Sequence, residues 1–170
     1  NGVASGFITI ASFALTISLI ILQNYEIAIA TLCLAFTSLA FYKYHKLPSR
    51  IFPGDSGALT FGATYGVIAI VGHVEVIAAI AILPAIINSF LFLSSVKKIV
   101  EHRETKNPVS HTDDFKLKTG DYKNVPITLV RLIIAKRPLS EKQIVTEIFR
   151  LGIFSGVLAI ITAFMMGVEV

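Results

Sequence analysis

The sequence has 170 residues, of which 54% are hydrophobic and 15% charged, and its formal net charge is +4. Soluble domains carry about 25% charged residues, so this chain has too little polar surface to cover a soluble bundle of its own helices. The basic excess needs no nucleic-acid partner, because the position of the basic residues along the chain accounts for it.

Five segments without Asp, Glu, Lys or Arg predict membrane-spanning helices, since a spanning helix needs about 17–25 apolar residues. These segments are 2–22, 27–42, 56–74, 76–96 and 151–168. The second is short, and flanking aromatic residues extend it into the membrane interface. The sequence therefore predicts an all-α integral membrane protein with about five transmembrane helices and a long polar cytoplasmic loop between the fourth and the fifth.

Breaker residues such as Pro53 and Gly54 set the predicted helix boundaries. We expect one transmembrane domain over residues 1–170. It is interpreted as a fragment of a longer chain, because a helix follows directly on the non-Met residue Asn1. The predicted helices are about 2–22, 26–43, 56–72, 76–99 and 140–167, and the predicted cytoplasmic loops are 43–55 and 100–140.

Local motifs add detail to the later helices. Gly62 and Gly66 form a G-x-x-x-G pair, which favours close approach of helices in lipid. Pro84 predicts a kink in the fourth helix. Ser140 and Gln143 stand at the two positions of a capping box before the last helix.

Two further segments leave alternatives open. Asn88 lies deep in the fourth helix, where a polar side chain marks either a hydrogen bond between helices or a functional site, and the bond is the stronger interpretation. The alternation over Val125 to Val130 allows a short strand or an interfacial segment.

The fifteen basic residues lie in only two stretches, 43–50 and 97–150. Basic residues accumulate in cytoplasmic loops, so both stretches are predicted to face the cytoplasm. Five alternating crossings then place residue 1 inside and Val170 outside. Charge is nearly absent within the predicted helices, which disfavours an ion or proton pathway.

The most informative candidate site is the run Phe-Pro-Gly-Asp-Ser-Gly at 52–57. Asp55 falls at or next to the start of the third helix, where a carboxylate suits a hard cation such as Mg²⁺. The helix N-terminus also favours anions, and Phe52 offers a flat apolar face for a base. The competing interpretation is structural, because Asp is also a good helix N-cap.

A second candidate site lies in the long polar loop. His111 can hydrogen-bond a phosphate or titrate near neutral pH. Lys106, Lys116 and Lys118 are predicted to surround it, together with Arg103, and could hold an anionic substrate. The alternative is a solvated loop whose cations contact anionic lipid head groups.

Several motifs, in order along the whole chain, resemble those of polyprenyl-phosphate sugar-1-phosphate transferases of the glycosyltransferase family 4 type. The run N-G-V-A-S-G at 1–6 resembles the family's N-G-L-E-A-G, and F-P-G-D-S at 52–56 resembles F-x-G-D-[ST]. G-H at 72–73 and P-A-I-I-N at 84–88 recur at similar spacing. P-L-S-E-K at 138–142 resembles P-L-x-E-[RK]. The likeness is greatest to the UDP-GlcNAc:dolichyl-phosphate GlcNAc-1-phosphotransferases.

The resemblance implies that GlcNAc-1-phosphate passes from UDP-GlcNAc to a polyprenyl or dolichyl phosphate with release of UMP, the first step of lipid-linked oligosaccharide assembly for N-glycosylation. It implies Mg²⁺ as the cofactor, with Mn²⁺ as an alternative. The implied location is an archaeal or bacterial plasma membrane or the endoplasmic reticulum, with the site facing the cytoplasm. A homodimer is one assembly that the family leaves open.

Site residues follow from the resemblance one by one. Asp55 resembles the family's Mg²⁺ ligand, Phe52 the aromatic that stacks on uracil, and Asn1 the residue that bonds the uracil edge. His111 resembles the histidine of a basic–His–basic triplet, but its neighbours here are Ser110 and Thr112. Pyrophosphate must then be held by other cations, for which the three lysines are candidates.

The family's Asp-Asp pair and a further Mg²⁺-site Asn lie upstream of residue 1. The fragment alone is therefore expected to be inactive, although the complete protein would be an enzyme. Two alternatives stay open. One is a transferase of the same family that uses another UDP-sugar for cell-wall or surface polysaccharide. The other is a non-enzymatic half of a membrane scaffold or channel, in which Asp55 is only a cap.

Overall fold

The computed structural model describes residues 2–96, 109–111, 117–119, 126–135 and 137–168, and these are predominantly helical. In chain order, the elements are α1 (Val3–Ile21), α2 (Tyr25–His45), α3 (Gly54–Val71), α4 (Glu75–Ala81), α5 (Leu83–Val96), β1 (Val109–His111), β2 (Leu117–Thr119), α6 (Leu129–Ile133) and α7 (Glu141–Val168). The chain forms two compact units. The first is Asn1–Leu83 with Ile148–Val170, and the second is Pro84–Glu147.

The long apolar helices support a membrane protein. Within the described chain, three helices are long and apolar enough to cross a bilayer: Val3–Ile21, Tyr25–His45 and Glu141–Gly167. A fourth crossing is added if α4 and α5 count as one broken span. Helix α3 is not among them, because it begins with Gly54, Asp55 and Ser56, which lower its mean hydropathy. The predicted total of five crossings is therefore not confirmed, and the sidedness of the loops stays a prediction.

Helix α1 is the most enclosed element of the first unit. Leu15 and Leu19 on it are 0% exposed, and they belong to a core that extends to Ile77 of α4 and Ala159 of α7. A helix that is apolar on all sides lies inside a bundle or a membrane. Helix α1 therefore forms the axis around which the other helices of this unit pack.

Helix α1 carries several buried hydroxyl groups, and those of Ser5 and Thr9 contact side chains of α2. Most of them donate to a carbonyl one turn earlier on their own helix, as Thr16 does to Ser12 at 2.8 Å. Thr9 donates across the interface to the hydroxyl of Ser38 at 2.8 Å. Such bonds satisfy polar groups where no water is available. The Oγ of Ser12 is the exception, since it is buried without a hydrogen-bond partner among the described residues.

Glycines let α7 approach α1 closely. A Cβ on Gly6 would lie 2.3 Å from the Phe149 ring, and one on Gly156 would lie 3.0 Å from Ala14. The predicted G-x-x-x-G pair behaves differently, because a Cβ on Gly62 or Gly66 would meet no described atom within 4 Å. Close packing by small residues therefore occurs between α1 and α7 in the described chain, whereas no described helix approaches Gly62 or Gly66 closely.

The second unit contains the long polar segment. Strands β1 and β2 pair antiparallel, with His111 opposite Leu117, and Leu117 also exchanges two backbone hydrogen bonds with Leu139, at 2.9 and 3.2 Å. The predicted capping box is confirmed. The Ser140 N–H donates to Gln143 Oε1 at 3.0 Å, and the Gln143 N–H donates to Ser140 Oγ at 3.4 Å.

Two predictions about the segments around Pro84 and Asn88 are refined by the structure. The interruption expected at Pro84 falls at Ile82, between α4 and α5. Proline lacks an N–H and its ring crowds the carbonyl four residues earlier, which explains a break just before it. Asn88 accepts a hydrogen bond from the Leu129 N–H at 2.8 Å, so it holds the start of α6, and the segment from Leu129 is helical and not a strand.

Replacing Gly6 with leucine tests the close approach of α1 and α7. The new side chain must displace the Phe149 ring, so we expect the free energy of unfolding to fall by about 1–3 kcal/mol. Thermal melts of the detergent-solubilised protein measure this. Gly62→Leu is the matched control, because its side chain enters space without described neighbours. Equal melting temperatures for the two variants would contradict a packing role for Gly6.

Candidate functional site

Helix α3 starts at an unusual backbone position. Gly54 has φ 60°, and Pro53 precedes it at the N-cap position. Residues with a Cβ rarely adopt this left-handed conformation, whereas glycine does so at no steric cost. Gly54 therefore turns the chain from the loop after α2 directly into α3, and Asp55 becomes the second residue of the helix.

The Asp55 side chain is exposed at the start of this helix. Helix α3 has no side-chain cap hydrogen bond. The carboxylate also makes no hydrogen bond or ion pair within the described part of the chain. The alternative in which Asp55 serves only as an N-cap is therefore contradicted, and its carboxylate is available to a ligand while still facing the positive end of the helix dipole.

Phe52 lies just before this turn, with 64% of its surface exposed. Its ring meets His45 edge-on, at 6.0 Å between centroids and 73° between planes. His45 in turn meets Phe41 at 5.8 Å, and Phe41 meets Phe61 of α3 at 6.0 Å. We call Phe52, His45, Phe41 and Phe61 the aromatic row. It ties the exposed Phe52 ring to α2 and α3.

His45 is the functional-site neighbour that the sequence did not reveal. It is only 4% exposed, and its Nδ1 lies 2.8 Å from the Ser5 hydroxyl. Ser5 and Gly2 lie in the first turn of α1 and just before it, and a Cβ on Gly2 would lie 3.3 Å from Lys46 Cα. The start of α1, the end of α2 and the start of α3 therefore meet at one end of the first unit, which we call the site end.

A groove of about 470 Å³ lies between α2 and α3 next to the site end. Phe41 and Phe61 of the aromatic row line it, together with Tyr44 and Gly57. The ammonium group of Lys43 lies 5.9 Å from the centre of the Tyr44 ring. The groove is thus apolar inside and has a cation near one wall.

Asp55 is the acidic group of the site end within the described residues. The other described carboxylates of the first unit, Glu26 and Glu75, start α2 and α4. They lie at the opposite end, where the Asn24 amide donates to the Gly72 carbonyl at 3.4 Å. No group of three or more His, Cys, Asp or Glu side chains able to hold a metal is found in the described chain. One exposed carboxylate fits a Mg²⁺ ion only if phosphates or residues elsewhere complete its coordination.

The other predicted site residues belong to the second unit or lie outside the described residues. His111 and Lys118 belong to β1 and β2, and the register pairs Ser110 with Lys118. His111 and Lys118 thus occupy neighbouring positions of the hairpin in the second unit, whereas Phe52 and Asp55 belong to the first unit. Asn1, Lys106 and Lys116 lie outside the described residues.

Comparison with known proteins finds a family match over the segments that form the site end. Residues 1–73, which include the three segments that meet at the site end, match the family model described as glycosyl transferase family 4. We call residues 1–73 the family 4 segment, after the family model that they match. The match covers α1, α2, α3 and the turn after α3.

One relative extends the likeness beyond this segment. A protein of Methanocaldococcus jannaschii named as a candidate glycosyltransferase is 31% identical over 163 residues, which is 95% of this chain and 52% of the relative. A phospho-N-acetylmuramoyl-pentapeptide-transferase of Limosilactobacillus fermentum is 32% identical over 75 residues, 44% of this chain and 24% of the relative. That of Clostridium beijerinckii is 40% identical over 53 residues, 31% of this chain and 16% of the relative.

These matches show similarity to glycosyl transferase family 4, to a named glycosyltransferase and to phospho-N-acetylmuramoyl-pentapeptide-transferases. They reach the level of the family and not that of a particular sugar. The chain spans about half the length of the Methanocaldococcus relative and less of the two bacterial ones.

The positive φ of Gly54 gives a test of how Asp55 is presented in this family 4 segment. Gly54→Val places a branched side chain in the left-handed region and should lower the free energy of unfolding by about 1–2 kcal/mol. Gly54→Asn should cost less, because asparagine tolerates this conformation. Thermal melts in detergent measure both. Since a Cβ at Gly54 meets no described atom, equal losses for Val and Asn would refute the conformational explanation.

Proposed function

We propose that the full-length protein transfers GlcNAc-1-phosphate from UDP-GlcNAc to a polyprenyl phosphate of the dolichyl type and releases UMP. This would be the first step of lipid-linked oligosaccharide assembly for N-glycosylation. The observation that carries the proposal is Asp55, an exposed carboxylate without a described partner at the start of a helix in a family 4 segment.

In the proposed reaction, an oxygen of the lipid phosphate attacks the β-phosphorus of UDP-GlcNAc. A new P–O bond forms as the bond from this phosphorus to the oxygen that bridges it to the α-phosphorus breaks, and that oxygen leaves with UMP. The product is a lipid-linked sugar pyrophosphate. Because the acceptor is a lipid and the donor is soluble, the site must lie at a membrane surface, and we propose the cytoplasmic one.

Mg²⁺ is the proposed cofactor, and bound Mg²⁺ would neutralise charge on the transferring phosphates. Asp55 would supply one oxygen ligand, in keeping with the one or two carboxylates that Mg²⁺ commonly takes alongside substrate phosphates. Mn²⁺, which favours the same oxygen ligands, is an alternative.

The remaining roles in the proposal concern substrate binding. The exposed face of Phe52 would stack on uracil, and base stacking on an aromatic ring is worth about 1–3 kcal/mol. Asn1 would bond the uracil edge. His111 would contact the sugar or the pyrophosphate, and Lys106, Lys116 and Lys118 would hold the pyrophosphate in place of the arginines of the family's triplet.

A second candidate donor follows from the bacterial relatives. Because phospho-N-acetylmuramoyl-pentapeptide-transferases match 44% and 31% of this chain, a UDP-sugar of cell-wall or surface polysaccharide is the competing substrate. Presenting UDP-GlcNAc and UDP-N-acetylmuramoyl-pentapeptide separately to the full-length protein, with polyprenyl phosphate and Mg²⁺, distinguishes the two. UMP release from the second donor alone would overturn the GlcNAc assignment while keeping the reaction class.

Asp55→Asn in the full-length protein tests the metal role. Loss of a Mg²⁺ ligand removes several kcal/mol of transition-state charge stabilisation, so kcat should fall by about 100-fold or more. UMP release from UDP-GlcNAc measures it. The amide keeps the size of the side chain, so the melting temperature should change little.

Glu26→Gln is the matched control, because it also neutralises a carboxylate in the first turn of a helix but at the opposite end of the unit. Its turnover should equal that of the parent. Undiminished turnover of Asp55→Asn would refute the metal-ligand assignment. If the parent full-length protein released no UMP from any UDP-sugar, the non-enzymatic scaffold or channel would become the better interpretation.

A further inference from the structure

We infer that His45 is a positioning residue that sets the orientation of Phe52 and thereby the affinity for the uridine donor. The inference rests on the proposed function for its reaction, but its geometry is independent of it. None of the motifs that carry the family likeness contains His45. Its side chain contacts Ser5 of α1, Phe41 of α2 and Phe52 in the loop before α3.

The first contact is the hydrogen bond between His45 Nδ1 and the Ser5 hydroxyl, at 2.8 Å. Both groups are buried, with Ser5 at 0% and His45 at 4% exposure. A buried polar pair of this kind costs free energy if either partner is removed. Because the bond reaches one ring nitrogen, it fixes both the position of the imidazole and its rotation about the Cβ–Cγ bond.

The second contact is the edge of the ring. His45 stands at 73° to Phe52 and at 61° to Phe41, which are the edge-to-face arrangements that aromatic pairs prefer. Phe52 is the exposed end of the aromatic row, so the contact with His45 constrains its ring while 64% of the residue's surface stays exposed. A ring held in this way loses less rotamer entropy when a base stacks on it.

The third contact is made by the backbone. The Ser49 hydroxyl donates to the His45 carbonyl, and the Arg50 N–H donates to the Tyr44 carbonyl at 2.9 Å. The loop that carries Phe52 is thus folded back onto the end of α2. The same residue, His45, therefore fixes the loop through its carbonyl and the Phe52 ring through its side chain.

A double-mutant cycle in the full-length protein tests this inference. His45→Ala should raise the KM for UDP-GlcNAc by about threefold to tenfold, the range of one aromatic pair, with little change in kcat. In a Phe52→Ala background the same change should alter KM by less than about twofold, because the group that His45 positions is gone. Equal effects of His45→Ala in both backgrounds would overturn the inference.

Two variants separate positioning from stability. Ser38→Ala is the matched control, since it removes the Thr9–Ser38 bond between the same helices without an aromatic contact to Phe52. It should leave KM unchanged. Ser5→Ala with His45→Phe keeps an aromatic ring beside Phe52 without the buried hydrogen bond. It should reverse only part of the rise in KM caused by His45→Ala, because the ring remains but the bond that fixes it is gone. A KM as high as that of His45→Ala would count against the role of the ring.

A spectroscopic measurement keeps the test independent of turnover. The chain has no tryptophan, so Phe52→Trp adds an indole whose signal is obtained by difference from the parent full-length protein. Adding His45→Ala to this variant should increase acrylamide quenching and lower the anisotropy of that signal. If both stay unchanged, Phe52 is not held by His45. If both change but the parent protein releases no UMP, the positioning stands and the proposed function fails.

Discussion

The hydrogen bond between Ser5 and His45 is the contact on which the site end depends. The His45 imidazole is only 4% exposed, so the protein must supply a partner for its buried Nδ1. Ser5 supplies the partner from α1, forty residues earlier in the chain. With this bond in place, the end of α2 is fixed against the start of α1, and the loop to α3 begins from a defined point.

The rest of the first unit makes that bond stable. Helix α1 is surrounded, and the small residues Gly6 and Gly156 bring α7 close to it. Its hydroxyls bond mainly to the backbone of their own helix, as Thr16 does, so most of them are satisfied within α1. The buried Ser12 Oγ is the exception among the described residues. The packed helices thus support the exposed turn at Pro53 and Gly54. The positive φ of Gly54 changes the direction of the chain there, and Asp55 is the next residue.

The sequence predicted those parts of this arrangement that depend on residues close to one another in the chain. Charge-free segments indicated the long helices, Ser140 and Gln143 indicated the capping box, and Pro84 indicated the break near Ile82. The three-residue strands β1 and β2 were missed because they are too short to show a two-residue period. Helix α6 was also missed. It has only 5 residues, and its start is held by Asn88, 41 residues earlier in the chain.

The site residues also differ in whether the local sequence or only the fold reveals them. Phe52 and Asp55 were found because Pro53 and Gly54 mark a turn before an apolar segment. The sequence could not decide whether Asp55 caps the helix, since both roles use the same residue types. Only the position of Gly54, with φ 60° at the first residue of α3, removes Asp55 from the cap. His45 could not be found at all, because its partners Ser5 and Phe52 come from separate segments that only the fold brings together.

The placement of Phe52 and Asp55 on different segments bears on how a family 4 site would bind two chemically different parts of one donor. Phe52 lies on a loop held by the aromatic row, whereas Asp55 lies on the helix that begins after Gly54. The Phe52 ring thus precedes the turn at Pro53 and Gly54, and the Asp55 carboxylate follows it. On the proposed function, that separation lets the base be bound by stacking without bringing an apolar surface against the charged phosphates. Uridine recognition and charge neutralisation could then vary independently, the first through His45 and Phe52 and the second through Asp55 and the residues that complete its metal site.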